Sequence, residues 1–239
     1  VKKFALEQKI PLLAVGKLDE TVIQQIKSLN PDFLVTEDYG LILPNELLAV
    51  PKFASINIHH SLLPKYRGPS PAPSAILNGE KKSGVTIIQM TGEVDAGDIY
   101  AQTEYALKPG ETTDSLLTEL NVLGAQLTVE TLKNISNGKA KSTKQNEKEA
   151  TKTSYMKKSD GFVDISNPPS PDLLDRMIRA YYPWPGVYTK YQISNIKYQI
   201  IKLLPDKKIQ VEGKKPTSLT DFKKGYEKGE EFLKKIGLD

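Results

Sequence analysis

The chain has two histidines, and they stand together in the stretch N-I-H-H-S-L-L-P-K-Y-R-G, at His59 and His60. Asn57 lies two positions before the first. In a strand, residues i and i+2 point to the same side. The Asn57 carboxamide and the His59 imidazole can therefore converge on one ligand atom. Two N–H groups aimed at such a point can stabilise an oxyanion. The alternative is a hydrogen-bonded strand end with no chemistry. The pair supplies no obvious nucleophile, which argues against covalent catalysis and for attack by a substrate's own nucleophile. By the same alternation His60 points the other way and reads as structural or surface.

Three further stretches have residue types suited to a site. E-V-D-A-G-D (93–98) offers a carboxylate that can pair with His59, raise its pKa and hold it cationic. The same carboxylate can accept the proton of an attacking amine. Gly92 and Gly97 permit close backbone approach, although an acidic glycine turn alone has the same composition. Spacing does not separate Asp95 from Asp98. The loop Tyr39-Gly40-Leu41-Ile42-Leu43-Pro44 can line a pocket for a flat heterocycle, or be core under a loop. Arg67 can bind a carboxylate or phosphate bidentately, or form a surface ion pair.

Alternating helix and strand signals position these stretches. Helical spacing covers Val1–Gln8, and Asp19 caps a helix through Ser28. Pro11–Val15, Asp32–Thr36, Ala54–Ile58, Gly84–Met90 and Gly97–Tyr105 read as strands. Asn45–Val50 and Pro71–Asn78 read as short helices, and Thr112–Ile135 as the longest, with Leu116, Leu120, Leu123 and Leu127 along one face. Such alternation implies an α/β domain with a mainly parallel sheet. Ligands bind such sheets beyond the carboxyl ends of strands, and His59 lies one residue past such an end.

Lys139 to Lys158 holds seven lysines against two glutamates, so it reads as a solvated basic linker. Beyond it a helix is expected at Ser170–Ala180, then strands at Val187–Gln192, Lys197–Leu203 and Lys208–Val211, then a helix at Leu219–Tyr226. Short strands with a helix at each end suggest a small OB-like β-barrel. The division is 1–137, 138–154 and 155–239. Net charge is +4, a mild excess that says little by itself about nucleic acid. No run approaches the roughly 20 apolar residues of a membrane span. The lack of cysteine removes disulfides and thiolate chemistry and fits a reducing cytoplasm. No ligand cluster for a metal is visible.

The stretch N-I-H-H-S-L-L-P-K-Y-R-G, followed by S-G-V-T-I-I-Q-M and E-V-D-A-G-D-I, resembles the formyltransferases that use 10-formyltetrahydrofolate. R-A-Y-Y-P-W-P-G-V-Y (179–188) and V-E-G-K-K-P-T-S-L-T-D-F-K-K-G-Y (211–226) are similar to the carboxyl-terminal domain of the branch acting on methionyl-tRNA. The resemblance covers essentially the whole chain. It implies a Rossmann-like catalytic domain, a linker and an OB-like domain that helps bind initiator tRNA. Asn57, His59 and Asp95 match the catalytic positions, Asp95 being the Asp of the Asp-x-Gly match. Ser61, Leu62, Leu63 and Pro64 match the segment used at the folate, and Tyr39 to Leu43 the pterin-pocket loop. Arg67, Lys141, Lys144, Lys214 and Lys215 are expected to contact tRNA phosphates.

The implied reaction is attack by the methionine α-amine on the formyl carbon, with Asn57 and protonated His59 stabilising the oxyanion and Asp95 assisting proton removal. It serves translation initiation and uses the folate as co-substrate, without a metal. A monomer in the cytoplasm is expected. His60 departs from the small residue or proline usual after the catalytic His. The family's amino-terminal strands do not precede Val1, so a truncated sheet with an exposed apolar edge and low stability is expected. Two other readings are a formyltransferase for an aminosugar nucleotide or other small amine, and a non-catalytic RNA-binding remnant.

Overall fold

The computed structural model describes residues 1–193 and 198–238. Two short helices come first, α1 (Lys2–Glu7) and α2 (Glu20–Ser28). The Asp19 carboxylate caps α2 by accepting from the Val22 N–H at 3.2 Å. Helix α2 buries Ile23 against Leu43 and Leu47, in a small apolar cluster of their own. The strand expected at Pro11–Val15 is absent. A strand is defined by a hydrogen-bonded partner, and here Leu12 and Leu13 are exposed.

The first sheet has four strands in the order β1 (Phe33–Glu37), β2 (Ala54–His59), β3 (Lys82–Gln89) and β4 (Ile99–Ala106). Helix α3 (Asn45–Leu48) lies between β1 and β2, and α4 (Pro71–Leu77) between β2 and β3. Only β1 and β2 are parallel; β2–β3 and β3–β4 are antiparallel. The mainly parallel sheet expected from sequence is thus corrected to a mixed one. The order of strand and helix does not fix strand direction: β1 and β2 are parallel across the four residues of α3, while β2 and β3 are antiparallel although the longer α4 lies between them. The β3–β4 connection, residues 90–98, contains no helix at all, which leaves a hairpin as the available geometry. Strand β1 is an edge of this sheet, with Val35 41% exposed on it.

Helix α5 (Thr113–Ser136) packs on β2, β3 and β4, burying Leu116 and Leu120. Gly124 lets it sit close to the sheet: a Cβ there would lie 3.0 Å from Ile58 Cγ2. Leu123 and Leu127, expected on the same stripe, are only partly buried against that core.

The stretch read as a solvated linker is tied down at two places. Thr143 exchanges backbone hydrogen bonds with Ile99 at 2.8 and 2.9 Å. Further on, the Arg67 N–H donates to Thr151 O at 2.8 Å and Thr153 N–H donates to Arg67 O at 2.7 Å. The segment is therefore a strap, fastened to the start of β4 and to the loop after β2.

Helix α6 (Pro171–Ala180) follows, capped by Ser170, and docks on α4. It is also tied to α5, where the Thr113 hydroxyl donates to Ala180 O at 2.7 Å. A second, antiparallel sheet has the order β5 (Val187–Tyr191), β6 (Gln199–Leu204), β7 (Lys208–Val211) and β8 (Thr217–Ser218). The expected strand start at Lys197 lies outside the described residues. Helices α7 (Leu219–Gly225) and α8 (Gly229–Lys235) close the chain, with Phe222 and Phe232 edge to face beneath the sheet. Among the described residues β8 does not pair with β5, so this sheet is open, not the closed barrel expected. One apolar cluster runs from Ile56, Val85 and Leu120 through Ile178 to Ile201 and Phe222. No helix among the described residues is long and apolar enough to cross a membrane.

Candidate active site

Strand β2 presents Asn57 and His59 on one face, as alternation requires. Its parallel neighbour β1 fixes the first of them. Thr36 pairs with Asn57 in register, and its hydroxyl donates to Asn57 Oδ1 at 2.8 Å. That bond sets the amide's orientation, and Asn57 Nδ2 donates to Asp95 Oδ1 at 3.2 Å. His59 Nδ1 lies 3.5 Å from Asp95 Oδ2. The same oxygen accepts from the Gly68 N–H at 2.7 Å. Three segments distant in sequence thus meet at one carboxylate.

Asp95 arrives there by a route other than a shared carboxyl end. Because β3 runs antiparallel to β2, its last residue, Gln89, pairs with Ile56, while His59 pairs with Thr86. The 90–98 turn must fold back to reach Asn57 and His59. Asp95 takes a left-handed conformation, φ 53°, to do so. Gly97 is obligatory: a Cβ on it would meet Gln89 O at 1.7 Å. Asp98 turns elsewhere, its main-chain carbonyl accepting from Gln89 N–H at 2.9 Å and its carboxylate 3.5 Å from the Ser142 hydroxyl. The choice that spacing left open between the two aspartates is made by this turn.

The electrostatics of His59 differ from expectation. The ring is 5% exposed, and burial outweighs the attraction of Asp95 and the hydrogen bond to Tyr66, so its pKa is pushed below the ordinary 6.5. At neutral pH the imidazole is neutral, not held cationic. Its Nε2 lies 2.9 Å from Tyr66 O, and since a carbonyl can only accept, the proton sits on Nε2. Nδ1 then carries a lone pair beside Asp95. His60 is buried at 2% exposure and faces β1's end, with Nε2 3.3 Å from Glu37 Oε1 without hydrogen-bond geometry.

The segment Ser61–Pro64 is held by two residues that sequence reading missed. The Thr86 hydroxyl donates to Ser61 O at 2.6 Å and accepts from Leu63 N–H at 3.2 Å. Gln102 Nε2 donates to Leu63 O at 3.0 Å and to Thr86 Oγ1 at 2.8 Å. Both lie on strands, as ordinary polar positions with no local signal. In the 39–43 loop Leu43 is core, Leu41 half-buried, and Tyr39, Gly40 and Ile42 are exposed. Lys141, Lys144, Lys214 and Lys215 are all exposed. Arg67 is 5% exposed, and its guanidinium is engaged within the chain. Nε and Nη2 donate to Gln145 Oε1 at 3.0 and 2.8 Å, and Nη1 and Nη2 to the Glu147 carboxylate at 2.9 and 2.6 Å.

The sequence profile of the formyl transferase family matches residues 2–132. The chain belongs to that family. It is similar to a methionyl-tRNA formyltransferase of Agathobacter rectalis, 39% identical over 205 residues, which cover 85% of this chain and 66% of the relative. It is similar also to that of Clostridioides difficile, 40% identical over 208 residues, covering 87% and 67%. The chain spans about two thirds of the length of these curated relatives. Its fold is shared with HypX from Aquifex aeolicus, solved in complex with tetrahydrofolic acid, at a TM-score of 0.64 and 22% identity, over 76% of this chain and 30% of that one.

Proposed function

We propose that the protein transfers a formyl group from 10-formyltetrahydrofolate to the α-amine of methionine on initiator tRNA. The observation that carries this reading is the meeting of Asn57, His59 and Asp95 at one carboxylate, in a chain 39% identical to a methionyl-tRNA formyltransferase. The folate supplies the activated formyl group. Exposed Tyr39 and Ile42 after β1 suit the face of a flat ring, and Ser61–Pro64, braced by Thr86 and Gln102, would border it.

The chain's own groups then divide the work. The Asn57 carboxamide has two N–H groups; one is engaged by Asp95, and the other is assigned to the charge that develops on the formyl oxygen. Neutral His59, with its Nδ1 lone pair free of a proton, takes the proton the amine loses as the new C–N bond forms. The resulting imidazolium faces Asp95, which stabilises it. The proton goes on to the departing folate nitrogen as the old C–N bond breaks. The exposed lysines of the strap and of the β7–β8 turn are assigned to tRNA phosphates, a salt-sensitive attraction without sequence preference. An OB-like role for the second sheet rests on the same assignment.

Formyl transfer assayed in parallel on initiator methionyl-tRNA and on an aminosugar nucleotide tests the reading. Product with the tRNA is expected; product only with the sugar nucleotide overturns it. In the same assay Asn57→Ala, His59→Ala and Asp95→Ala are each expected to lose about 100-fold or more in turnover with tRNA binding kept.

A further inference from the structure

Asp95 is held at its carboxylate by Gly68 and at its main-chain carbonyl by Gln145. Its carboxylate accepts from the Gly68 N–H at 2.7 Å. Its main-chain carbonyl accepts from Gln145 Nε2 at 2.8 Å, and the same Nε2 donates to Gly97 O at 2.7 Å. Gln145 in turn is oriented by Arg67, the residue before Gly68, whose Nε and Nη2 both donate to Gln145 Oε1. The amide orientation is therefore determined from both sides. Turned over, it would set an NH2 against a guanidinium and an oxygen against two carbonyls. Arg67 is itself clamped by Glu147 and by backbone bonds to Thr151 and Thr153.

This network spans a conformation that does not hold itself. Asp95 has φ 53°, in the left-handed region that favours glycine. Gln145 bonds both carbonyls flanking Ala96 and so closes that turn. We propose that Gln145, oriented by Arg67, is a positioning residue for Asp95, so that the strap sets the geometry of the carboxylate against His59 and Asn57. The proposal rests on the role given to Asp95 above. It also replaces the expected phosphate contact of Arg67 with an internal duty, and it makes the strap a part of the site.

Two substitutions test it in the intact protein. Gln145→Ala removes the amide. Gln145→Glu keeps the acceptor for Arg67 but replaces the N–H donor with an oxygen facing the Asp95 and Gly97 carbonyls. A strap with a structural duty alone predicts that Gln145→Glu behaves like the parent, since its pair with Arg67 is retained. The positioning role predicts that both variants lose about 10- to 100-fold in kcat with KM for the formyl donor little changed. Both should also move the imidazole ¹H–¹⁵N signals of His59, leaving those of His60 in place. His60 faces Glu37 and Asp38, away from the strap, and the two rings are the only histidines to assign. Unmoved His59 signals in Gln145→Glu, or parental kcat in Gln145→Glu while Asp95→Ala is slow, overturns the proposal. Full turnover in Asp95→Ala, with His59 signals still moved by Gln145→Glu, would instead sink the role given to Asp95 and leave the positioning intact.

Discussion

At the scale of single residues, the site is a contest between burial and pairing at His59. Burial prevails and pushes its pKa below 6.5. The sign follows directly. Above 6.5 the ring is neutral folded or unfolded, and no proton is exchanged on folding. Below it the unfolded chain takes a proton before the folded one does, so stability falls as pH drops, down to the folded pKa. The imidazole signals of His59 should titrate with a midpoint below 6.5, and the acid limb of kcat/KM should lie there too; a midpoint above 6.5 would show that Asp95 outweighs burial. Thr36 gives a second residue-scale prediction. Thr36→Val keeps the shape and removes the hydroxyl that fixes the Asn57 amide. A stability loss of about 1 kcal/mol and a fall in kcat of roughly 10-fold are expected from urea unfolding and steady-state rates.

At the scale of elements, the 90–98 turn decides whether the site exists. Gly97→Ala would drive a Cβ into Gln89 O, 1.7 Å away, and the turn must open. A stability loss of about 2 kcal/mol or more and near-complete loss of turnover are expected; urea unfolding and rates near the parent's would show that the turn yields without moving Asp95. The elements themselves were largely legible. Asp19, Gly79 and the β-branched run at 84–90 mark boundaries that the chain observes within a residue or two. Strand direction was not. Alternation of strand and helix says parallel, but a helix between two strands does not fix their direction: β2 and β3 are antiparallel across α4, while β1 and β2 are parallel across the shorter α3. The pairing of Asn57 with His59 was legible because strand alternation is local. Gln145 and Thr36 were not, since each acts through a contact across many residues, from a position whose own neighbourhood reads as linker or as plain strand.

At the scale of the whole molecule, two sheets share one apolar cluster, and the strap runs back over the first sheet. The seven lysines of 139–158 suggested a solvated linker, and charge alone could not reveal that Gln145 and Glu147 among them are fastened to Arg67. Lysine exposure on the strap and at Lys214 and Lys215 supports a salt-sensitive hold on tRNA. Lys214→Ala combined with Lys215→Ala should flatten the log Kd against log salt slope by about 2 and weaken binding uniformly across tRNA sequences. An unchanged slope would remove that turn from the contact.

The central claim is that the Asp95 carboxylate, with Asn57 and His59, carries formyl transfer to methionyl-tRNA. Single-turnover transfer by Asp95→Asn tests it most directly, because the amide keeps the size of the group and removes its charge. The account predicts a fall of about 10²- to 10⁴-fold in the transfer rate, with binding of the formyl donor unchanged. A rate within about threefold of the parent's would contradict it.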